Sequence, residues 1–457
     1  MPAFASRGGM GMAFIRAVRH GSGGMAAHPA TFARPLITLC DRSLIRALPA
    51  GEGRDAATSR GAHDMRISVG IDVAKEVHWT TAVTQDGRVL LDRKVENTAA
   101  DIGRLAVEVA ALKGERLIGI DLYGGIATLL SAMLLAAGER LVHVPGLAVN
   151  RSRQGSVGGQ AKSDPKDARV IADQLRLRAG DFRPIALGDD TLAELRLLVG
   201  RRGELVTDQT RRISRMRYLL NTIHPDLERA LDLTNAGPLS LLARYVTAAG
   251  IRSAKPKAIA RHLRAKAVRN PEALAEAAYA AALAHPNLKL PAEAVTAALI
   301  REMAEEAIAC RSRLAAIDRR LAELVQAHPD GALIRSLPGM GAVLAAEFLA
   351  EAGSISRFRS AAALASAAGL APVLRQSGKS RRLQRPGYAN NKLKRVFYQS
   401  AFCSLADPLS RAFYERKRRE GKRHHQAVIA LARRRIDVLW ALIATRTPFS
   451  ANHRKAA

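Results

Sequence analysis

The sequence predicts an α/β domain followed by a long, mostly α-helical region and a helical C-terminal block. Strand-like runs rich in β-branched residues gather between residue 65 and about 145. From about residue 190 the apolar residues instead recur at three- and four-residue spacing, the period of amphipathic helices. A glycine-containing turn between two short apolar stretches then opens a last block near residue 329.

Residues 1–64 are rich in Gly, Ala, Arg and Pro without a sustained period and read as a disordered leader. The leader has neither a clean amphipathic repeat nor a secretory apolar core, so a start assigned too far upstream, with Met65 the first residue, is its plainest account. A domain over 65–185 follows. Its segments "RISVGIDVA", "HWTTAVTQDGRVLLDRKV" and "RLIGIDLY" read as strands, with Asp86 and Gly87 as a hairpin turn. Helices are expected over 99–112 and 125–137, then a strand at "RLVHVPG". Three strands, a helix, a strand, a helix and a strand is the order of a ribonuclease H-like sheet, an order that other α/β folds also supply. "RSRQGSVGGQ" reads as a loop, ended by a helix near Asp164.

Over 186–328 the segments 190–223 and 293–328 read as a long antiparallel, coiled-coil-like pair or as part of an ordinary bundle, with an Ala-rich, proline-studded helical insert between them. In the block 329–446, "LIRSLPGMGAVLAAEFLAEAG" resembles a helix-hairpin-helix, whose turn at Gly339 and Gly341 can offer backbone amides to a phosphate; a plain turn between core helices has the same pattern. Residues 447–457 form a tail.

Lys and Arg number 71 against 41 Asp and Glu, a formal charge of +30, which points to a polyanionic partner, nucleic acid before membrane. No apolar run has spanning length, so a cytoplasmic, nucleoid-associated protein is expected. Cys40, Cys310 and Cys403 show neither disulfide nor zinc spacing. Aromatics are 4% of residues, so contacts to phosphate and shape are expected over base stacking.

Against this charge stand four aspartates. Asp164 and Asp167 are explained by helix-start chemistry, an N-cap and a first-turn anion, or by a shared helix face aimed at a divalent cation. Asp72 sits in the apolar strand "SVGIDVAK", where an unpaired charge is costly, and Asp121 ends "LIGID" just before two glycines in "LYGG". A set of four at the carboxyl ends of adjacent strands favours the metal reading, with two magnesium ions serving phosphodiester displacement.

The segments "GIDVAKE", "IDLYGG", "KSDPKDARVIAD", "SLPGMGAVLAAEFLAEAG", "AGLAPVLRQSGKS" and "FYERKRREGK" resemble the transposases of insertion-sequence family 110, from residue 66 to about 446. The resemblance implies a RuvC-like DEDD domain joined to a C-terminal transposase domain. It implies Mg2+ at Asp72, Asp121, Asp164 and Asp167, with Asp121 standing where the family usually has glutamate. It further implies Ser377 as nucleophile, donor and target double-stranded DNA as substrates, and a guide RNA as partner. Arg375, Lys379, Arg381 and Arg382 flank that serine as phosphate contacts, and recombination by several strand cuts implies at least a dimer. From the residues alone, "SG" at 377 and 378 is equally a turn in a basic loop. A junction-resolving endonuclease and a non-catalytic nucleic-acid-binding protein are the alternatives: the first dispenses with Ser377, the second with all four aspartates.

Overall fold

A computed structural model describes residues 66–450 apart from Tyr123, 156–159, 186–189, Asn287, Lys289, Lys379, Arg385 and Tyr388. The expectations for the leader and for Lys379 lie outside the described residues. The chain divides into two compact units on either side of residue 188.

In the first unit, strands β1 (Arg66–Asp72), β2 (Val77–Val83) and β3 (Val89–Glu96) lead to helix α1 (Ala99–Ala111). Then come β4 (Glu115–Ile120), α2 (Thr128–Ala136), β5 (Leu141–His143), α3 (Gly146–Gln154), α4 (Asp164–Arg178) and β6 (Arg183–Ile185). The sheet order is β3-β2-β1-β4-β5-β6; β1, β4 and β5 are parallel, while β2, β3 and β6 join antiparallel. The expected order of three strands, helix, strand, helix, strand is what forms. Two elements were not foreseen: α3, whose last residues lie in the stretch read as a loop, and the short edge strand β6. Neither is long enough to show a period against its polar surroundings.

Strand β1 is central and buried on both faces. Ile67, Val69 and Ile71 enter the core shared with α1 and α2. On the other face Gly70 pairs in register with Gly119 of β4, and helix α4 lies against both. A Cβ at Gly70 would meet the Ala168 carbonyl oxygen at 2.1 Å and the Ala172 nitrogen at 2.4 Å; one at Gly119 would meet Ile171 and Leu175 at 2.9 Å. These two glycines let the backbone of α4 approach the sheet more closely than any side chain would allow. The helix itself begins at Asp164, with extended Ser163 as its cap residue and Pro165 in the first turn, one position earlier than the sequence suggested.

The second unit opens with α5 (Asp190–Ile223), followed by α6 (Pro225–Ala230), α7 (Ala236–Leu242), α8 (Ala248–Ala265), α9 (Pro271–Ala284) and α10 (Glu293–Ala327). Helices α5 and α10 run antiparallel, as their cross-links show: Arg320 pairs with Glu194, Arg202 with Asp318 and Arg212 with Glu306. The insert α6–α9 folds over the distal ends of that pair and shares one core with them, in which Leu239, Ile251, Leu263 and Ala278 meet Met216 of α5 and Ile300 of α10.

The chain then forms α11 (Gly331–Ser336), α12 (Ala342–Ala352), α13 (Ala361–Ala367), the hairpin β7 (Val373–Ser377) and β8 (Ser380–Gln384), α14 (Asn391–Cys403), α15 (Pro408–Arg419) and α16 (His424–Thr445). Leu195 of α5 and Leu321, Leu324 and Val325 of α10 share one core with Phe348, Phe397 and Ile436. The proximal end of the long pair and the C-terminal block thus pack as one body. No described helix is long and apolar enough to cross a membrane.

Gly70→Ala is expected to force α4 off the sheet and to cost about 3 kcal/mol, the upper end of ordinary overpacking because the obstacle is backbone. Urea unfolding checks this; a loss under about 0.5 kcal/mol, the range of surface substitutions, would refute the close-approach argument.

Candidate active site

Asp72 is the last residue of β1, and Asp121 follows the last residue of the parallel neighbour β4, one step beyond the paired Ile71 and Ile120. Helix α4, seated on the two glycines, brings Asp164 and Asp167 of its first turn to the same end of the sheet. The consequence is electrostatic. Asp72 is half-buried and its carboxyl is pushed up to about 7, first by burial and then by the negative charges of Asp121, Asp167 and Asp164, with Lys162 opposing. Asp121 is also raised, mainly by burial; the Val73 amide, which donates to its Oδ1 at 3.1 Å, pulls the other way.

Asp167 is held differently. It is buried, and Nη1 of Arg153 on α3 donates to both its carboxylate oxygens at 3.0 and 2.9 Å, while Nη2 of the same arginine donates to Asn150 at 2.7 Å. With Asp167 turned to Arg153 and Asp121 to the Val73 amide, no three Asp, Glu, His or Cys side chains among the described residues are grouped closely enough to hold a metal ion as they stand. The donor set nevertheless fits a hard divalent cation. Four carboxylates lie at one end of the sheet, and Asp72 among them is raised by burial and by the charges of the other three; oxygen donors of this kind suit such an ion.

Sequence reasoning missed three neighbours. Arg153 lies in the stretch read as a loop. His143, in register with Ile120 at the end of β5, donates from Nε2 to the Asp121 carbonyl at 3.2 Å. His78 of β2 is fully buried and accepts the Ala74 amide on Nδ1 at 3.2 Å, and burial pushes its pKa down. A lone arginine or histidine carries no spacing signal, so only the packing reveals them.

In the second unit Ser377 is not in a loop: it closes β7 and faces Ser380 across a two-residue turn. Gly378 takes a φ of 53°, the left-handed value that such hairpin turns need; the turn read at Ser377 and Gly378 is there, and the two strands beside it are the addition. Arg375 pairs with Arg382 and Gln376 with Arg381. Strand alternation puts Ser377, Ser380, Arg375 and Arg382 on one face and Arg381 on the other. Every described residue of both strands is exposed.

The turn between α11 and α12 contains both candidate glycines, and they differ. Gly339 has a φ of 77°, and a Cβ there would meet the Ser400 carbonyl oxygen at 2.6 Å, so it serves packing against α14. Gly341 caps α12 and has open space where a side chain would be. Beneath the turn, buried Arg435 of α16 donates to Ser400 Oγ at 3.0 and 2.8 Å and to the Pro338 carbonyl, fixing the turn from inside.

The raised carboxyl of Asp72 has a consequence for stability. A folded-state value of about 7 against an ordinary 3.8 means that the folded protein holds a proton that the unfolded chain releases. Its contribution is fully present below pH 3.8 and is lost as pH rises through about 7. In chelator, the melting temperature of the wild type is expected to fall between about pH 4 and pH 7, and Asp72→Asn should shrink that fall. An equal fall in both proteins would place the titration elsewhere.

Comparison with known proteins gives this geometry its context. A family model described as "Transposase" matches residues 69–225, and one described as "Transposase IS116/IS110/IS902 family" matches residues 331–415. The chain is 41% identical over 391 residues to the insertion element IS116 uncharacterized 44.8 kDa protein of Streptomyces clavuligerus, covering 85% of this chain and 97% of the relative. It is 41% identical over 383 residues to the insertion element IS900 uncharacterized 42 kDa protein of Mycobacterium paratuberculosis, covering 82% and 95%. A pilin gene-inverting protein of Moraxella bovis is 31% identical over 141 residues, covering 29% of this chain and 44% of that protein. The first match spans the first unit and runs on through α5 of the second, the other lies in the C-terminal block, and two relatives align along most of their length: the chain belongs to the IS116/IS110/IS902 family of transposases.

Proposed function

We propose that this transposase cuts and rejoins DNA with Mg2+ held by Asp72, Asp121, Asp164 and Asp167 and with Ser377 as nucleophile, and that a guide RNA selects the DNA. The observation that carries the acidic half is the gathering of four carboxylates at the ends of parallel strands β1 and β4, where burial and then the charges of the other three push Asp72 up to about 7. The sheet order supports a ribonuclease H-like, RuvC-like domain for this unit. When bound there, magnesium supplies Lewis acidity and neutralises charge on a phosphate.

The chain's own residues do the rest. Arg375 and Arg382 share a face with Ser377 and give a phosphate two guanidinium groups beside the hydroxyl. As the Ser377 Oγ–phosphorus bond forms, one phosphorus–oxygen bond to a sugar breaks. The hydroxyl proton is given up, and the leaving sugar oxygen gains one. A phosphodiester is exchanged for a serine phosphodiester, so rejoining needs no outside energy source. No histidine lies near Ser377 in sequence. The nearest, His424, has its Nδ1 engaged 2.8 Å from the Tyr414 hydroxyl.

Contacts to phosphate do not read sequence, so choice of site is assigned to base pairing with a guide RNA. The relative named for inverting a pilin gene supports recombination as the outcome. Several strand cuts per event require at least a dimer, and the long α5–α10 pair is the candidate dimerisation element.

Asp167→Asn is expected to abolish Mg2+-dependent strand cleavage while salt-sensitive DNA binding stays within about threefold, a change of some 0.7 kcal/mol. Undiminished cleavage would reduce the aspartates to helix-start and strand-end residues. For the serine, denaturing gels of protein with guide RNA and labelled donor DNA should show a protein-linked strand in wild type and none in Ser377→Ala. An adduct that persists in Ser377→Ala names another nucleophile, and cleavage without any adduct indicates a hydrolytic, junction-resolving enzyme.

A further inference from the structure

The helical insert carries a charge distribution that neither candidate site uses. Between Asp232 and Glu272 the chain has eight cations, Arg244, Arg252, Lys255, Lys257, Arg261, Arg264, Lys266 and Arg269, and no carboxylate. Two of them are committed internally: Arg252 donates to the Ala282 and His285 carbonyls, and Arg264 pairs with Glu272. Lys257, Arg261 and Lys266 are exposed and have no hydrogen-bonding or ion-pair partner among the described residues.

This charge borders a cleft of about 1010 Å³ between α7 and α8 of the insert on one side and α5 and α10 on the other. Arg202, Arg244, Lys266 and Arg311 line it, against two carboxylates, Asp318 and Glu305. Asp318 is taken up by Arg202 at 2.6 Å, and Arg311 is braced by the Thr234 carbonyl at 2.9 Å. Arg244 lies over the Tyr245 ring at 5.5 Å, and His262, edge-on to the same ring, donates to the Ser240 carbonyl at 3.1 Å. The walls are therefore fixed by hydrogen bonds and ring contacts, while Arg244 and Lys266 remain exposed cations.

We infer that this cleft is a second nucleic-acid site, which takes the phosphodiester backbone of a single strand and passes it along α8. The size argues for a strand, because a duplex about twice as wide as an α-helix does not enter a cleft between packed helices. Continuity argues for a polymer over a compact anion: Lys257 and Arg261 extend the positive surface beyond the cleft along the same helix. With few aromatics at the site, its hold is on phosphates and follows counterion release. The inference relies on the proposed function only for nucleic acid being the polyanion at hand.

The test uses the full chain and fluorescent oligo(U) and oligo(dT) strands, with anisotropy followed across salt concentration. Arg244→Gln with Lys266→Gln is expected to weaken binding at least about tenfold and to lower the slope of log K against log salt by about 1.4, the loss of two phosphate contacts to a single strand. The charge-keeping pair Arg244→Lys with Lys266→Arg should bind nearly as wild type. Lys113→Gln with Arg140→Gln, which removes two exposed charges in the other unit, should change neither quantity. A preference for oligo(U) identifies the strand as RNA and one for oligo(dT) as DNA. Equal affinity and slope in the cleft pair and the Lys113/Arg140 pair overturns the inference, as does a wild type that binds neither strand. Failure of the proposed function would be seen separately, as absent cleavage and serine adduct in a protein whose strand binding still depends on the cleft.

Discussion

The close approach of α4 to the central strand at Gly70 is the constraint on which the acidic site depends. Because backbone meets backbone there, with Gly119 clearing the space beside it, the first turn of α4 arrives at the ends of β1 and β4. Asp164 and Asp167 are carried to Asp72 and Asp121 by that contact, not by their own attraction, which would be repulsive. Packing of Ile171 and Leu175 against the sheet supplies the favourable energy, and burial of apolar surface at about 25 cal/mol per Å² readily outweighs the repulsion it imposes.

That repulsion is managed by unequal means. Asp121 receives a backbone amide and Asp167 a buried arginine, while Asp72 has neither to offset the burial and the neighbouring charges that push it up to about 7. The pair of Arg153 and Asp167 is nearly closed to water, with side-chain exposures of 12% and 7%. Such a pair contributes little net stability while it stays paired, and breaking it costs far more. A protein with a formal charge of +30 thus concentrates negative charge at one spot and, among the described residues, leaves Asp72 and Asp164 without a fixed side-chain partner.

In the second unit the division of labour runs between rigid cores and an exposed hairpin. Two apolar cores hold the two ends of the long helix pair, and buried Arg435 holds the α11–α12 turn from below. The hairpin bearing Ser377 has no buried residue on either described strand, and two strands alone are marginal in water. Its face of serines and arginines has the composition of a surface that meets phosphate.

Much of this was legible in the sequence because it depends on local periodicity. The strand order of the first unit, the long helices at 190–223 and 293–327, and the acids at strand ends all follow from alternation, from three- and four-residue spacing, and from charge set in apolar runs. The 34- and 35-residue helices were the easiest to read, since an amphipathic period repeated over many turns has little competition. Helix α3, strand β6 and the β7–β8 hairpin were not read, because each is short and polar and is shaped by its neighbours or by one glycine at positive φ. The partners of the aspartates were equally hidden: Arg153 meets Asp167 from 14 residues away, and His143 meets Asp121 across two strands. The sequence by itself determined which residues are charged, where the chain turns and which faces are apolar. Only the tertiary structure decided which charges meet, because that depends on a helix approaching a sheet at two glycines, a contact between segments far apart in the chain that no local pattern encodes.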